Sequence, residues 1–173
     1  MPSKRYNTGD TVRKLCVYAL LCAVCLVIGY IETLFDLSFI APGIKPGLSN
    51  AVACVLVFCG DIKGAFAVNI SRILLSNLLF GSPVALAFAI SGGVISLAVM
   101  ALLSRNRRVS ALGGSIAGGA VHNLVQCAVG IAFIGAGVVY YLPLLLIAGA
   151  VSGAAVGILS SLVIKRIKGE KYV

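Results

Sequence analysis

Arg72 stands inside an apolar run, NISRILLSN, with Asn69 three residues before it and Ser76 four after it. At helical spacing these three side chains share one face. An arginine at bilayer depth costs at least about 2.5 kcal/mol, so it is expected to face the interior of a helix bundle and to meet a partner there. Two partners are open: Glu32, in a buried pair that only locks helices together, or an anionic ligand. A second polar stripe follows in GGSIAGGAVHNLVQ, where Ser115, Gly119, His122 and Gln126 recur at i, i+4, i+7 and i+11, with Asn123 beside them. That face alternates small and hydrogen-bonding side chains, and lipid is not expected against it. The chemistry on offer is recognition: a guanidinium for an anion, an imidazole and amides for hydrogen bonds.

His122 is the sole histidine of the chain. With no Cys/His set at ligand spacing, no metal is expected there, and a packing role stands beside pocket lining. Three polar side chains on one face exceed what helix contact needs, which favours the pocket. A third feature is APGIKPGLSN, residues 41–50, a Pro and Gly cluster between apolar runs that carries Lys45 and Asn50. Pro42 and Pro46 remove amide donors and the glycines relax the backbone, so this segment belongs at an interface or along a cavity. Either it is a plain turn with a solvated lysine, or it is a lid whose Lys45 reaches inward to a negative ligand group.

Catalysis on diphosphate is not expected of this chain alone. Hard cations such as magnesium want several oxygen ligands, and the acids number five, Asp10, Glu32, Asp36, Asp61 and Glu170, with no aspartate-rich motif. Only Glu32 and Asp36 fall one helical turn apart. A GxxxxGK[ST] loop is also absent, so ATP would have to be used by separate subunits. No cofactor is implied.

The elements that must position these residues follow from composition. Of 173 residues, 60% are hydrophobic and 11% charged, far from the roughly 25% charged of soluble domains. An integral membrane protein is expected, as one all-α bundle of six transmembrane helices over residues 1–173, with tails at about 1–12 and 165–173. The six apolar stretches run from Val12 to Phe35, Leu48 to Cys59, Gly64 to Phe80, Val84 to Leu103, Gly113 to Ile134 and Val138 to Ile164. The second is short, so it either borrows residues from PGIKPG or spans part of the bilayer. With a cytoplasmic N-terminus, 12 of the 14 basic residues fall inside, leaving Lys45 outside and Arg72 within a span. The opposite orientation would violate the positive-inside rule almost completely. Both termini are therefore expected in the cytoplasm. The net charge of +9 lies at the edges of spans, where topology explains it and nucleic acid does not. The six cysteines sit in apolar segments and read as small filler, and no cleavable signal is apparent. Gly149, Gly153 and Gly157 form a double GxxxG, and Gly114 with Gly118 another, both signs of helix contact. Ala19 and Ala23 offer an AxxxA face on the first helix.

Taken together, Glu32, PGIKPGLSN, the Arg72 helix ending in SNLLFG, the SGG at Ser91 to Gly93 and SIAGGAVHNLVQ resemble the Gx transporter family. That family is also catalogued as the membrane-type component I of heptaprenyl diphosphate synthase. The resemblance runs from Leu15 to Ile164, and the family is in turn similar to the S components of energy-coupling factor transporters, six-helix proteins that capture vitamins outside a bacterial cell membrane. The resemblance implies that substrate lies near the outer face under the first external loop. It also implies that Ala19 and Ala23 meet a transmembrane coupling subunit served by ATPase subunits. In that setting Lys45 and Arg72 would supply positive charge, His122, Asn123 and Gln126 hydrogen bonds, and Asn50 an amide at the mouth. Asn69 would share the Arg72 face, and Glu32 would orient Arg72 or meet a ligand donor. A flavin, a vitamin-like compound or an isoprenoid or quinone precursor would suit. The other catalogue name implies a non-catalytic accessory subunit that holds a soluble synthase at the membrane or handles its substrate.

Overall fold

The computed structural model describes residues 8–34 and 47–169; Asp36, Pro42, Lys45 and Pro46 lie outside them. Among the described residues the chain is helical throughout, with no strand. Helix α1 spans Thr8–Leu34, and a 3-10 turn at Leu48–Asn50 leads into α2, Ala51–Phe58. Then come α3 at Ile62–Phe80, α4 at Pro83–Leu103 and α5 at Ala111–Ile134. A 3-10 stretch at Ala136–Tyr141 precedes α6, Leu142–Lys168. Five of these segments are long and apolar enough to cross a membrane, which makes the chain a multi-pass membrane protein by length and composition. The second of the six apolar stretches is the exception. Leu48–Phe58 rises only about 16 Å at 1.5 Å per residue, about half of the roughly 30 Å hydrocarbon core. Gly47 sets its start, because its φ of 71° is left-handed backbone that glycine adopts without strain.

Alternate helices run in opposite directions, so the basic residues collect at one end of the bundle, from Arg13 and Lys14 through Lys63 and Arg105 to Lys165, Arg166 and Lys168. Polar caps fix the turns there. Asp61 caps α3 by accepting from the Gly64 amide at 3.0 Å, and it also accepts the Tyr18 hydroxyl of α1 at 2.5 Å. Lys168 Nζ donates to the Phe58 carbonyl at 2.8 Å, closing the end of α2 with the end of α6. At the opposite end Ser82 caps α4 ahead of Pro83, and on the basic side Ser110 caps α5. Each of these oxygens satisfies an amide that the first helical turn leaves without a partner.

Short α2 sits among α3, α4, α5 and α6, and its Ala51, Cys54 and Val57 form the core with Ala65, Leu97, Met100 and Val156. Cys54 is fully buried as small filler, and Cys22 and Cys25 pack against Val68. Helices α5 and α6 pack most extensively of all. Their glycines explain why: a methyl group added at Gly153 would lie 2.5 Å from the Ser115 carbonyl oxygen, and one at Gly149 2.5 Å from that of Gly119. Only hydrogen fits between these backbones. The other pair faces elsewhere, with Gly114 against the Phe58 ring and Gly118 against Met100.

Helix α1 lies at the edge, held by α3 and by the 3-10 turn. Its Ala19 and Ala23 are exposed, as are Cys16 and Val27 on the same side. The two alanines therefore point away from the bundle.

Candidate functional site

A cavity of about 460 Å³ opens among the helices, within the range of roughly 300–1,000 Å³ common for small-molecule sites. Seven of the side chains singled out from sequence line it: Glu32, Asn50, Asn69, Arg72, His122, Asn123 and Gln126. Lys45, the eighth, lies outside the described residues. Helical periodicity brings the set together, since Asn69, Arg72 and Ser76 face inward from α3 while Ser115, Gly119, His122 and Gln126 do so from α5.

Arg72 is held by neutral oxygens. Its Nη1 donates to Ser49 Oγ at 3.1 Å, and its Nη2 to Asn50 Oδ1 at 2.8 Å and to Asn69 Oδ1 at 3.0 Å. A direct pair with Glu32, one of the two partners that the sequence left open, is not formed among the described residues. Glu32 instead accepts from the Leu48 amide, joining the end of α1 to the start of the 3-10 turn, though it remains close enough to act on Arg72 electrostatically. A guanidinium has five N–H donors. Three are used here, and the other two have no partner among the described residues.

Two of the amides turn out to be structural props. Asn69 Nδ2 donates to the Gly93 carbonyl at 3.2 Å while its oxygen holds Arg72, and Asn123 Nδ2 donates to the Leu145 carbonyl at 2.6 Å, tying α5 to α6. Asn50, placed at the mouth from sequence, spends its oxygen on Arg72. Gln126 lines the cavity and makes no hydrogen bond to the described residues. His122 lies against Gly92, where an added methyl group would sit 3.0 Å from the ring. Gly92 and Gly93 thus make room for His122 and for Ile73 beside Asn69.

Sequence reasoning missed Ser49, buried in the 3-10 turn, whose signal was only its place beside Asn50 in LSN. It also missed the aromatic side chains Tyr30, Phe80 and Phe88 along the wall. The rings of Tyr30 and Phe80 lie 5.5 Å apart across α1 and α3. A second, shallower cavity of about 370 Å³ occupies the basic end, lined by Asp10, Arg13, Lys14, Tyr18 and Asp61. The described carboxylates are thus divided between two cavities, Glu32 in one and Asp10 with Asp61 in the other. Among the described residues no group of three or more His, Cys, Asp or Glu is arranged to hold a metal.

The main cavity can therefore bind and orient: it offers a guanidinium with two open donors, an imidazole, a glutamine amide and one acid. Comparison with known proteins bears on the chain as a whole. The family model for heptaprenyl diphosphate synthase component I matches residues 21–163. No curated protein and no solved structure matches the chain. The matched segment holds α1 from its middle onward, the whole of α2 to α5 and most of α6, with every residue that lines the main cavity inside it, and the chain belongs to the heptaprenyl diphosphate synthase component I family.

Proposed function

We propose that this protein is a membrane binding subunit, similar to an S component, that captures a small polar or anionic molecule from outside and passes it inward with an ATP-driven partner. The observation that carries this reading is Arg72, held in the cavity wall by three neutral oxygens with two donors left over. A charge whose only task was to lock helices would be expected to meet a carboxylate directly. With the N-terminus in the cytoplasm, the end bearing Glu32, Asn50 and Phe80 faces outside. The ligand's negative group would take the open N–H groups of Arg72, Gln126 and His122 would add hydrogen bonds, and Glu32 would accept from a ligand donor. Lys45, outside the described residues, would add a second positive charge. Native mass spectrometry of the protein released from detergent tests the capture step. A small molecule held in near one-to-one ratio is expected, and spectra of bare protein from freshly isolated membranes would count against it.

The family's name favours a second reading, a non-catalytic accessory subunit that holds a soluble prenyl synthase at the membrane. Partner identity separates the two. If the exposed Ala19 and Ala23 face receives a coupling subunit's helix, the double variant Ala19→Leu/Ala23→Leu should lose that subunit and its ATPases in a pull-down while keeping its ligand. The face is flat because both residues are small, which is what lets two helices approach closely in lipid. Recovery of a soluble synthase, by wild type and variant alike, would favour the accessory role.

A further inference from the structure

We propose that the ligand of the main cavity is amphipathic and lies head down, its anionic group at Arg72 and a compact apolar group nearer the mouth among Tyr30, Phe80 and Phe88. The assignment rests on the cavity being a ligand site and adds the shape and direction of what enters it. Depth comes from helix geometry. Arg72 stands eight residues before Phe80, about 12 Å deeper along α3 at 1.5 Å per residue. His122 lies level with Gly92, nine residues and therefore about 13 Å along α4 from Pro83. Arg72 and His122 thus lie at mid-depth, while the wall between them and the mouth carries the rings of Tyr30, Phe80 and Phe88 among the polar side chains of Glu32, Ser76 and Gln126.

Tyr30 and Phe80 are exposed, as the rings of an interfacial girdle at the membrane surface are, but unlike such rings they and Phe88 also line the cavity. Tyr140 and Tyr141 fit that role, being exposed and away from the cavity. Tyr30, Phe80 and Phe88 line the cavity itself, and two of them are braced by other rings, Tyr30 with Phe80 at 5.5 Å and Phe88 with Phe133 at 6.0 Å. Small Ala85 and Ala89, on the same helix as Phe88, also line the cavity. An inorganic anion would use none of this apolar wall. A ligand carrying a ring or a short branched chain would cover it.

Volume limits the apolar part. The cavity encloses about 460 Å³. A chain of seven isoprene units has thirty-five carbons, which at roughly 30 Å³ each, the share of a water in the liquid, needs about 1,000 Å³. By the same share the ten carbons of two isoprene units need about 300 Å³ and fit, with the far end of the tail at the open mouth once the head group is seated, whereas the full heptaprenyl chain cannot be enclosed.

The test is titration of the protein in lipid nanodiscs with inorganic diphosphate, geranyl diphosphate, which has two isoprene units, and heptaprenyl diphosphate. Geranyl diphosphate is expected to bind at least tenfold tighter than inorganic diphosphate, with no further gain for the seven-unit compound. The double variant Phe80→Ala/Phe88→Ala should lose about tenfold or more for geranyl diphosphate and keep its affinity for inorganic diphosphate, which also reports that the cavity is folded. Should Phe88→Ala impair folding, Phe88→Leu, which keeps apolar bulk, is expected to retain both affinities. Equal affinity for the inorganic and geranyl compounds overturns the head-down arrangement and leaves anion binding standing. Binding of neither overturns both, and a large gain for heptaprenyl diphosphate overturns the size limit.

Discussion

Placing a single methyl group at Gly119 is expected to cost the protein most of its stability. The crossing of α5 and α6 is a backbone contact, and a Cβ there would run into the Gly149 carbonyl oxygen and lie 3.1 Å from the Gly153 Cα. Where side chains can yield, overpacking costs about 1–3 kcal/mol. Here the obstacle is a peptide unit inside a helix, so the helices themselves must separate. That separation also loosens Gly149 and Gly153, which meet Gly119 and Ser115 from the other side, and disturbs the Asn123 bond to Leu145. Gly119→Ala is expected to lose about 3 kcal/mol or more, and Gly119→Leu to yield little folded protein. Thermal unfolding in detergent measures the first and monodisperse yield the second. Gly137→Ala is the control, since nothing lies within 4 Å of the added methyl group. A Gly119→Ala protein that melts with wild type would show that α5 and α6 do not pack in this way.

Replacing Arg72 with methionine should abolish anion binding while leaving the bundle folded. A hydrogen bond to a charged group contributes about 1.5–3 kcal/mol, so two open donors on one guanidinium imply a loss of roughly 100-fold or more. Stability responds differently because two terms oppose each other. Removing a charge from bilayer depth relieves about 2.5 kcal/mol or more, while Ser49, Asn50 and Asn69 lose the donor they share. Those oxygens line an open cavity and can take water instead. Arg72→Lys is expected to fall between, because an ammonium is a point charge that cannot serve three fixed oxygens and a ligand together. Titration with inorganic diphosphate beside a melting curve reads both quantities. Wild-type affinity in Arg72→Met would remove the cavity's claim to be the binding site.

Most of the fold was legible because membrane helices announce themselves by apolar length, and the six stretches read from sequence match the helices within a few residues at most ends. The short second stretch was legible as short. What fixes its start, the left-handed Gly47, depends on a backbone angle that spacing does not reveal. Periodicity also foresaw that Arg72 would share a face with Asn69, and His122 with Gln126. It could not choose the partner of Arg72, because Ser49 and Asn50 come from a turn more than twenty residues away and nothing local distinguishes them from Glu32. The GxxxG pattern of α6 gave a contact without naming α5 as its other side. Tyr30, Phe80 and Phe88 went unread for a similar reason: an aromatic near a helix end looks the same in sequence whether it meets lipid or a cavity.

The bonds that close α2 also set an order on biogenesis. Its first carbonyl, that of Ala51, accepts from Ser160 at 3.3 Å, and that of Phe58 accepts from Lys168. Both donors belong to α6, and each is made more than a hundred residues after its acceptor in α2. Until then α2 is too short to hold a transmembrane position alone, and its last carbonyl groups have only water or other temporary partners. The insertion machinery must therefore shelter this second helix, or carry it with α3 as a hairpin, while more than half of the protein is still to be made. Assembly cannot proceed strictly from the N-terminus onward, and a chain cut short in the last turns of α6 would leave a defect near its beginning.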